Sequence, residues 1–259
     1  MSTGIGAGIS SVFDLKPGAS APVYACPTGY SLEFDGATEY GLALNTAPSL
    51  GVSGLGNFTI AFWLKTPDST GGGVNQRVLQ KTQGTSSTAW SLYLTPTGKL
   101  QWLSSGTDSW NDGFAEVVIP NNTWTFLAYS VNRADKANFS ANGGTLYPKD
   151  ISGNTAFDLT GGTNFYIGRT GGGQYFNGNL CHISIWDTNL DQTQLAELYN
   201  NTAGKCYASD FSFSSNLQNY WPCFNPGGVY TDPLTDTVGG INIPLINMSA
   251  TNVSTDHPL

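Results

Sequence analysis

The stretch TNFYIGRTGGGQYFNGNLCHISIWDTNLDQTQLAELYNN, residues 163–201, contains the pattern that decides the fold. Phe165 and Ile167 alternate with polar neighbours, which is the period of a half-buried β-strand. A glycine loop follows, and a second alternating run covers residues 181–186. Asp191 can then cap a short helix with leucines on one face. The stretch therefore predicts a strand, a loop, a second strand and a helix.

Similar alternation predicts strands throughout the preceding residues. It occurs in SLEFD (31–35), NFTIAFWLKT (57–66), AWSLYLT (89–95) and TWTFLAYSVN (123–132). Asn142-Gly143 is a strong signal for a tight hairpin turn. Charged residues make up only 11% of the 259 residues, while the sequence contains 32 glycines. This composition favours an all-β protein with many short strands and a surface made polar by hydroxyl and amide groups.

Several ordered motifs together carry a family resemblance. SLEFDGATEYGLAL (31–44), NFTIAFWLKT, TWTFLAYSVN and the closing hairpin with its helix resemble the laminin-G/pentraxin-like branch of the concanavalin A-like lectin/glucanase superfamily. The resemblance covers residues 30–202 and implies a two-sheet antiparallel jelly-roll sandwich with one short C-terminal helix.

The segments outside this region are predicted to be arms. Residues 1–29 are rich in Gly, Ser, Ala and Pro, and they predict an N-terminal arm. Residues 203–259 predict an extended C-terminal arm that packs on its own domain or on a neighbour. The first twelve residues lack the basic region of a signal peptide. No apolar run approaches the roughly 18 residues needed to span a bilayer, so no membrane insertion is expected.

The acidic composition argues against nucleic acid as a partner. The formal net charge is −8, and the ten Lys and Arg residues form no run, whereas nucleic-acid binding needs clustered positive charge. Of the four cysteines, only Cys206 and Cys223 are near in sequence. We expect reduced buried thiols, with a Cys206–Cys223 bridge as the alternative in an oxidising compartment.

Glycoside hydrolases share this fold, and a member with their activity would need their catalytic carboxylates. Glu33-Phe34-Asp35 begins a pattern typical of laminarinase-like enzymes, but the third carboxylate is missing at Ala37 and Thr38. The two histidines, His182 and His257, lie in unrelated contexts and there is no G-x-S-x-G motif. The sequence therefore predicts a protein that is not an enzyme and has no catalytic residues.

The resemblance also raises the question of calcium. Relatives hold Ca²⁺ between the Asp of the opening hairpin, matched here by Asp35, and acids in the last long strand. Cys181 and His182 stand at those strand positions, and a thiol and an imidazole are poor ligands for a hard cation. We therefore predict no metal and no cofactor.

A sugar site needs an aromatic face together with amide or carboxylate acceptors. The candidate carbohydrate-binding residues are Asp108, Trp110, Asn111, Asp112 and Tyr175, the last lying beside a glycine loop that we expect to share a rim with the others. The alternative for Trp110 is a plug that covers the sandwich edge.

Two functions follow as hypotheses. The preferred one is a non-enzymatic structural protein of a virus particle, such as a phage capsid decoration or tail-associated subunit. It would contact copies of itself and other virion proteins through its arms, and it could adhere to host glycans. The resemblance implies this, since phages use the family in that way. The alternative is an extracellular, stand-alone lectin or carbohydrate-binding module.

Overall fold

Alternating apolar side chains build two antiparallel sheets in the computed structural model, which describes residues 29–45, 50–82, 90–104, 109–113, 117–160, 162, 164–170, 172–200, 207, 210–223 and 229–258. In chain order the strands are β1 (Ser31–Asp35), β2 (Tyr40–Ala43), β3 (Phe58–Lys65), β4 (Gln76–Thr82), β5 (Trp90–Leu94), β6 (Leu100–Ser104), β7 (Asn111–Gly113), β8 (Thr125–Val131), β9 (Lys136–Ala141), β10 (Tyr147–Asp150), β11 (Asn164–Ile167), β12 (Asn177–Trp186), β13 (Leu217–Trp221), β14 (Leu245–Ile246) and β15 (Val253–Ser254).

The strands divide between an eight-stranded and a seven-stranded sheet. The first has the order β10-β9-β8-β3-β12-β1-β15, and β13 pairs with the second half of β12. The other has the order β14-β2-β11-β4-β5-β6-β7. Consecutive strands often lie far apart, as in a jelly roll. The predicted all-β, two-sheet antiparallel sandwich is confirmed.

A single α-helix, α1 (Gln192–Tyr199), occurs within the described residues, at the predicted place. The Asp191 side chain accepts a hydrogen bond from the Gln194 backbone N–H, and the Gln194 side chain accepts one from the Asp191 N–H. This reciprocal cap satisfies two backbone donors that the first turn leaves unpaired. Leu195 and Leu198 are buried and fasten the helix to the sandwich. Within the described residues, no helix is long and apolar enough to cross a membrane.

Aromatic side chains fill the space between the sheets. Trp102 stacks on Trp90 at a centroid distance of 5.2 Å and on Tyr129 at 4.9 Å, so it connects the inner faces of both sheets. Phe165 of β11 lies between Trp90 and Trp221. Each such ring removes a large apolar area from water, and a fully buried one stabilises the fold by about 2–3 kcal/mol.

Described residues beyond 203 belong to both sheets. The strand β13 pairs with β12, β14 pairs with β2 and β15 pairs with β1. The carboxylate of Asp236 accepts hydrogen bonds from the Asn219 side chain and the Tyr220 backbone N–H. It also accepts three from the loop of its own segment, 238–241. Of the two predicted alternatives for residues 203–259, the described residues show packing on their own domain. The predicted N-terminal arm, 1–29, lies outside the described residues apart from Gly29.

Candidate functional site

Trp110, the central residue of the predicted sugar site, lies in the core. Its side chain is 4% exposed and stacks on Trp102 at 5.7 Å. Its indole N–H donates to the Tyr129 hydroxyl at 2.7 Å, and the Arg133 guanidinium covers the ring at 4.6 Å. The ring is therefore enclosed by protein side chains. Its position matches the alternative of a plug at the sandwich edge.

The neighbours of Trp110 point to opposite sides of the sheet. Asn111 pairs with Leu103 on the outer face and is exposed. Asp112 pairs with Trp102 on the inner face and is buried. Burial, and then the negative charge of Asp112, raises the pKa of Tyr129 well above its ordinary value. Asp112 therefore acts within the core. Asp108 lies outside the described residues.

Tyr175 lies on the same sheet as Asn111 but far from it. Tyr175 pairs with Arg169 just beyond β11, whereas Asn111 is on β7, four strands further along the sheet. At about 4.8 Å per strand the separation is roughly 19 Å. The structure thus brings together Trp110, Asn111 and Asp112 and separates them from Tyr175. A glycan role for the five residues stays a prediction.

The outer face of the seven-stranded sheet presents a different group of aromatic and polar side chains. The register places Tyr166 of β11 between Leu42 of β2 and Gln80 of β4, on the side opposite the buried Phe165 and Ile167. We call this surface the tyrosine face, and it consists of Tyr40, Leu42, Arg77, Gln80, Tyr93, Tyr166, Arg169, Gln174 and Tyr175. Tyr93 is buried beneath Arg77 and the others are partly buried.

The tyrosines of this face touch one another. Tyr40 lies 6.4 Å from Tyr166 and 6.3 Å from Tyr175, measured between ring centroids. The Arg169 guanidinium lies over Tyr40 at 4.3 Å and over Tyr175 at 5.2 Å. The guanidinium is attracted to the ring faces because they are electron-rich, and the tilted and edge-on contacts between the rings add to this. The cluster therefore presents partly exposed aromatic surface in a fixed geometry.

Arg77 is fastened more completely than Arg169. Its Nε donates to Gln174 Oε1 at 2.8 Å, its Nη1 donates to Ser91 Oγ at 3.0 Å, and its guanidinium covers Tyr93 at 3.9 Å. Burial lowers the pKa of Arg77, and the interaction with Tyr93 opposes that change. Arg77 is thus held in one orientation beside the tyrosines.

Gly168 allows the turn that places Arg169 on the tyrosine face. Gly168 follows β11 with φ +78°, and a Cβ built there would lie 2.6 Å from the Phe34 ring. Only glycine fits, because both the backbone angle and the space exclude a side chain. The turn that follows closes with a hydrogen bond from Thr170 N to Gln174 O at 3.0 Å. It sets Arg169 opposite Tyr175.

Two polar atoms of the tyrosine face are buried without a hydrogen-bond partner among the described residues. They are Gln80 Oε1 and Arg169 Nε. Buried polar atoms in native proteins are nearly always paired, so each exception calls for an explanation such as a ligand or water. Their position beside the tyrosine rings makes this surface the strongest candidate site in the described part of the chain.

The carboxylates of the opening hairpin are engaged in their own turn. Asp35 accepts hydrogen bonds from the backbone N–H groups of residues 37–39 and from the Thr38 hydroxyl. Partial burial acts to raise the pKa of Asp35, but the hydrogen bonds outweigh it and lower the pKa to about 2. Glu39 accepts a hydrogen bond from the Asp35 N–H at 2.8 Å. These groups shape a turn.

The calcium position of relatives does not fit a metal in this chain. Cys181 and His182 are buried in β12, at a bulge where His182 has φ +51°. His182 Nδ1 lies 2.6 Å from the Tyr220 hydroxyl. Burial, with a smaller contribution from His257, lowers the pKa of His182 to about 4. No group of three or more His, Cys, Asp or Glu side chains that could hold a metal occurs among the described residues.

The described cysteines are buried free thiols, as expected. Cys181 and Cys223 make no disulfide, and burial raises the pKa of Cys223 to about 12. The alternative Cys206–Cys223 bridge involves a residue outside the described part of the chain. Cys26 and Cys206 themselves lie outside the described residues.

Sequence reasoning missed most of the tyrosine face, although a signal existed. Tyr40 and Tyr166 occupy the polar positions of two alternating strands, the parity that points away from the core. What the sequence did not reveal is that β2, β11 and β4 are neighbours. Residues 40, 77 and 166 are far apart in the chain, and only the strand order joins them.

Comparison with known proteins places this geometry in a family. A family model described as the concanavalin A-like lectin/glucanases superfamily, of the laminin-G type, matches residues 35–196. No curated protein matches the sequence. A solved structure of a candidate carbohydrate-binding protein from Bacteroides ovatus is similar at a TM-score of 0.61 and 18% identity. The alignment covers 88% of this chain and 60% of that one, so this chain spans less than two thirds of its length.

Two further solved structures have a similar fold. One is a heptameric SAP-like pentraxin from Limulus polyphemus, with a TM-score of 0.51, 14% identity and coverage of 68% of this chain and 83% of that one. The other is the CBM40 of a Ruminococcus gnavus sialidase bound to α2,3 sialyllactose, with a TM-score of 0.51, 20% identity and coverage of 65% and 95%. The family match extends over more than half of the sequence and agrees with the two observed sheets, so the chain belongs to the concanavalin A-like lectin/glucanase superfamily.

Proposed function

We propose that this chain is a non-enzymatic carbohydrate-binding module that holds a glycan on the tyrosine face. The observation that carries the proposal is the combination of tyrosine rings with unpartnered polar atoms on one partly buried surface. Tyrosine rings suit the apolar side of a pyranose, and the nearby amides and guanidinium groups suit its hydroxyls. Solved structures of the same fold that are named for carbohydrate binding support the proposal.

The hydrogen bonding of the opening hairpin supports a binding module over a glucanase. A glycosidase needs one carboxylic acid and one carboxylate that face the scissile bond. Asp35 instead uses both its oxygens within its own turn, and its lowered pKa makes it a poor proton donor near neutral pH.

The test is binding to a broad glycan panel, with a tyrosine removed from the face. Tyr166→Ala should weaken the affinity for the best glycan about tenfold, which corresponds to roughly 1.4 kcal/mol. The matched control is Tyr147→Ala, which removes a partly buried tyrosine from the edge strand β10 of the other sheet. If no glycan binds the wild-type chain, or if both variants lose affinity equally, the proposal is wrong.

The virion role and location predicted from the sequence stay predictions. Both predictions rest on two arms that contact other subunits. The described part of the C-terminal segment instead makes its contacts with its own sheets. Partnership with other virion proteins would then depend on the N-terminal segment. Removing residues 1–28 and measuring particle attachment and oligomer size tests this, since unchanged values would contradict the virion role.

A further inference from the structure

Arg169 is held by aromatic rings but makes no hydrogen bond among the described residues. Its guanidinium carbon lies 4.3 Å from the Tyr40 ring centroid and 5.2 Å from the Tyr175 ring centroid. Its Nε is shielded and unpartnered, while the two terminal nitrogens are not shielded. Because the two ring centroids are only 6.3 Å apart, the rings contact the guanidinium from adjacent directions and do not enclose it. The terminal N–H groups are therefore the part that a ligand can reach.

Two arginines, Arg77 and Arg169, lie on the tyrosine face of a chain whose formal net charge is −8. The paired outer-face rows that cross this sheet, 42–166–80–91–103–111 and 77–93–101, contain no Asp or Glu. Arg77, the other cation of the face, already donates to Gln174 and Ser91. Arg169 is the guanidinium of this face with its hydrogen-bonding capacity unused by the described residues.

We propose that Arg169 recognises an acidic group on the glycan, either a carboxylate or a sulfate ester. This inference rests on the proposed function of the tyrosine face. A planar guanidinium matches two oxygens of such a group, and charge-assisted hydrogen bonds of this kind are short and strong. Tyr40 and Tyr175 fix the orientation of the guanidinium before the ligand arrives, so little conformational entropy is lost on binding. The sugar ring that carries the acidic group then packs near Tyr40 and Tyr166.

The test compares matched neutral and acidic glycans. The full chain is titrated with lactose, α2,3-sialyllactose and 3′-sulfated lactose, and an array supplies further neutral, carboxylated and sulfated sets. The wild-type chain should bind at least one acidic member of a set tenfold or more tightly than its neutral counterpart. Whether the carboxylated or the sulfated member is preferred identifies the source of the acidic group.

Three variants separate recognition by Arg169 from a structural role. Arg169→Gln should abolish the preference for the acidic member while affinity for the neutral member changes less than twofold. Arg169→Lys should keep part of the preference, because it retains the charge but loses the planar fork. The control Lys136→Gln removes an exposed cation from the other sheet and should change nothing.

Each other result overturns the inference. If the wild-type chain binds glycans without preferring acidic ones, the inference fails and the proposed function stands. If Arg169→Gln weakens the binding of neutral and acidic glycans equally, Arg169 supports the structure of the tyrosine face and does not recognise the acidic group. Absence of binding to every glycan would overturn the proposed function and this inference with it.

Discussion

Two clusters in this sandwich place an arginine over an aromatic ring, yet their surroundings are opposite. Arg133 covers Trp110 inside the molecule, is 4% exposed and donates through Nη2 to the backbone carbonyls of Asn154 and Phe157. Arg169 covers Tyr40 on the outer sheet face, is partly exposed and donates to no described residue. The same pair of residue types therefore packs the core in one place and leaves a partly exposed guanidinium on the surface in the other.

The difference arises from strand parity and position. Trp110 and Asp112 have the parity that points between the sheets, whereas Tyr40 and Tyr166 have the parity that points away from them. Two guanidinium nitrogens of Arg133 are buried and unpartnered among the described residues, as Arg169 Nε is, but Arg133 as a whole is buried whereas Arg169 is partly exposed. Accessibility, more than composition, separates a candidate binding surface from a core cluster.

The largest expected effect is on the core cluster. Trp110→Ala should lower the free energy of unfolding by about 3–5 kcal/mol, because it leaves a cavity and removes the partner of the Tyr129 hydroxyl. Chemical denaturation measures this. Under conditions where the variant is folded, its glycan affinity should equal that of the wild-type chain.

Tyr166→Ala should affect binding and leave the fold nearly unchanged. We expect it to lower the free energy of unfolding by less than about 1 kcal/mol and to weaken glycan affinity about tenfold. The assignment of packing to the Trp110 cluster and binding to the tyrosine face would be contradicted if Trp110→Ala reduced glycan binding in the folded protein while Tyr166→Ala did not.

A third effect concerns pH, because the interior contains a titrating group and the tyrosine face has no histidine. Burial lowers the pKa of His182 to about 4, against an ordinary value of 6.5. Between these values the unfolded chain binds more protons than the folded one, so stability should decrease as the pH falls from about 6.5 towards 4. The decrease attributable to His182 is at most roughly 3 kcal/mol.

The variant His182→Asn isolates this contribution, since asparagine tolerates the positive φ of 51° at that position. Denaturation of both proteins at pH 7.5 and 4.5 should give a shallower pH dependence for the variant. Equal slopes would show that another group carries the acid sensitivity. Glycan affinity of the wild-type chain should be constant between pH 6 and 8.

The smallest effect is expected at Asn111, the exposed member of the predicted sugar site. Asn111→Ala should change stability by less than about 0.5 kcal/mol. Because Asn111 lies roughly 19 Å from Tyr166 across the sheet, affinity for a di- or trisaccharide should change less than twofold. A larger loss, seen by calorimetric titration, would place the site nearer β7 than the tyrosine face.

The sequence alone determined the class of the fold and several local structures. Period-two alternation in residues 57–66 and 123–132 predicted β3 and β8 correctly, although both faces of these two strands are buried. The helix cap at Asp191 is likewise a local signal, since donor and acceptor are three residues apart. The strands β14 and β15 were not predicted, because each contains only two residues.

Only the tertiary structure decided which polar and aromatic residues share a surface. An aromatic residue beside Asp and Asn in one loop, as at Trp110, has the same local pattern whether it faces solvent or core. Tyr40, Arg77 and Tyr166 become neighbours because β2, β11 and β4 are adjacent strands, and Arg169 reaches them because Gly168 turns the chain. Strand adjacency in a sandwich is set by long-range pairing and by the packing of the two sheets, and neither leaves a mark in the neighbouring residues of the sequence.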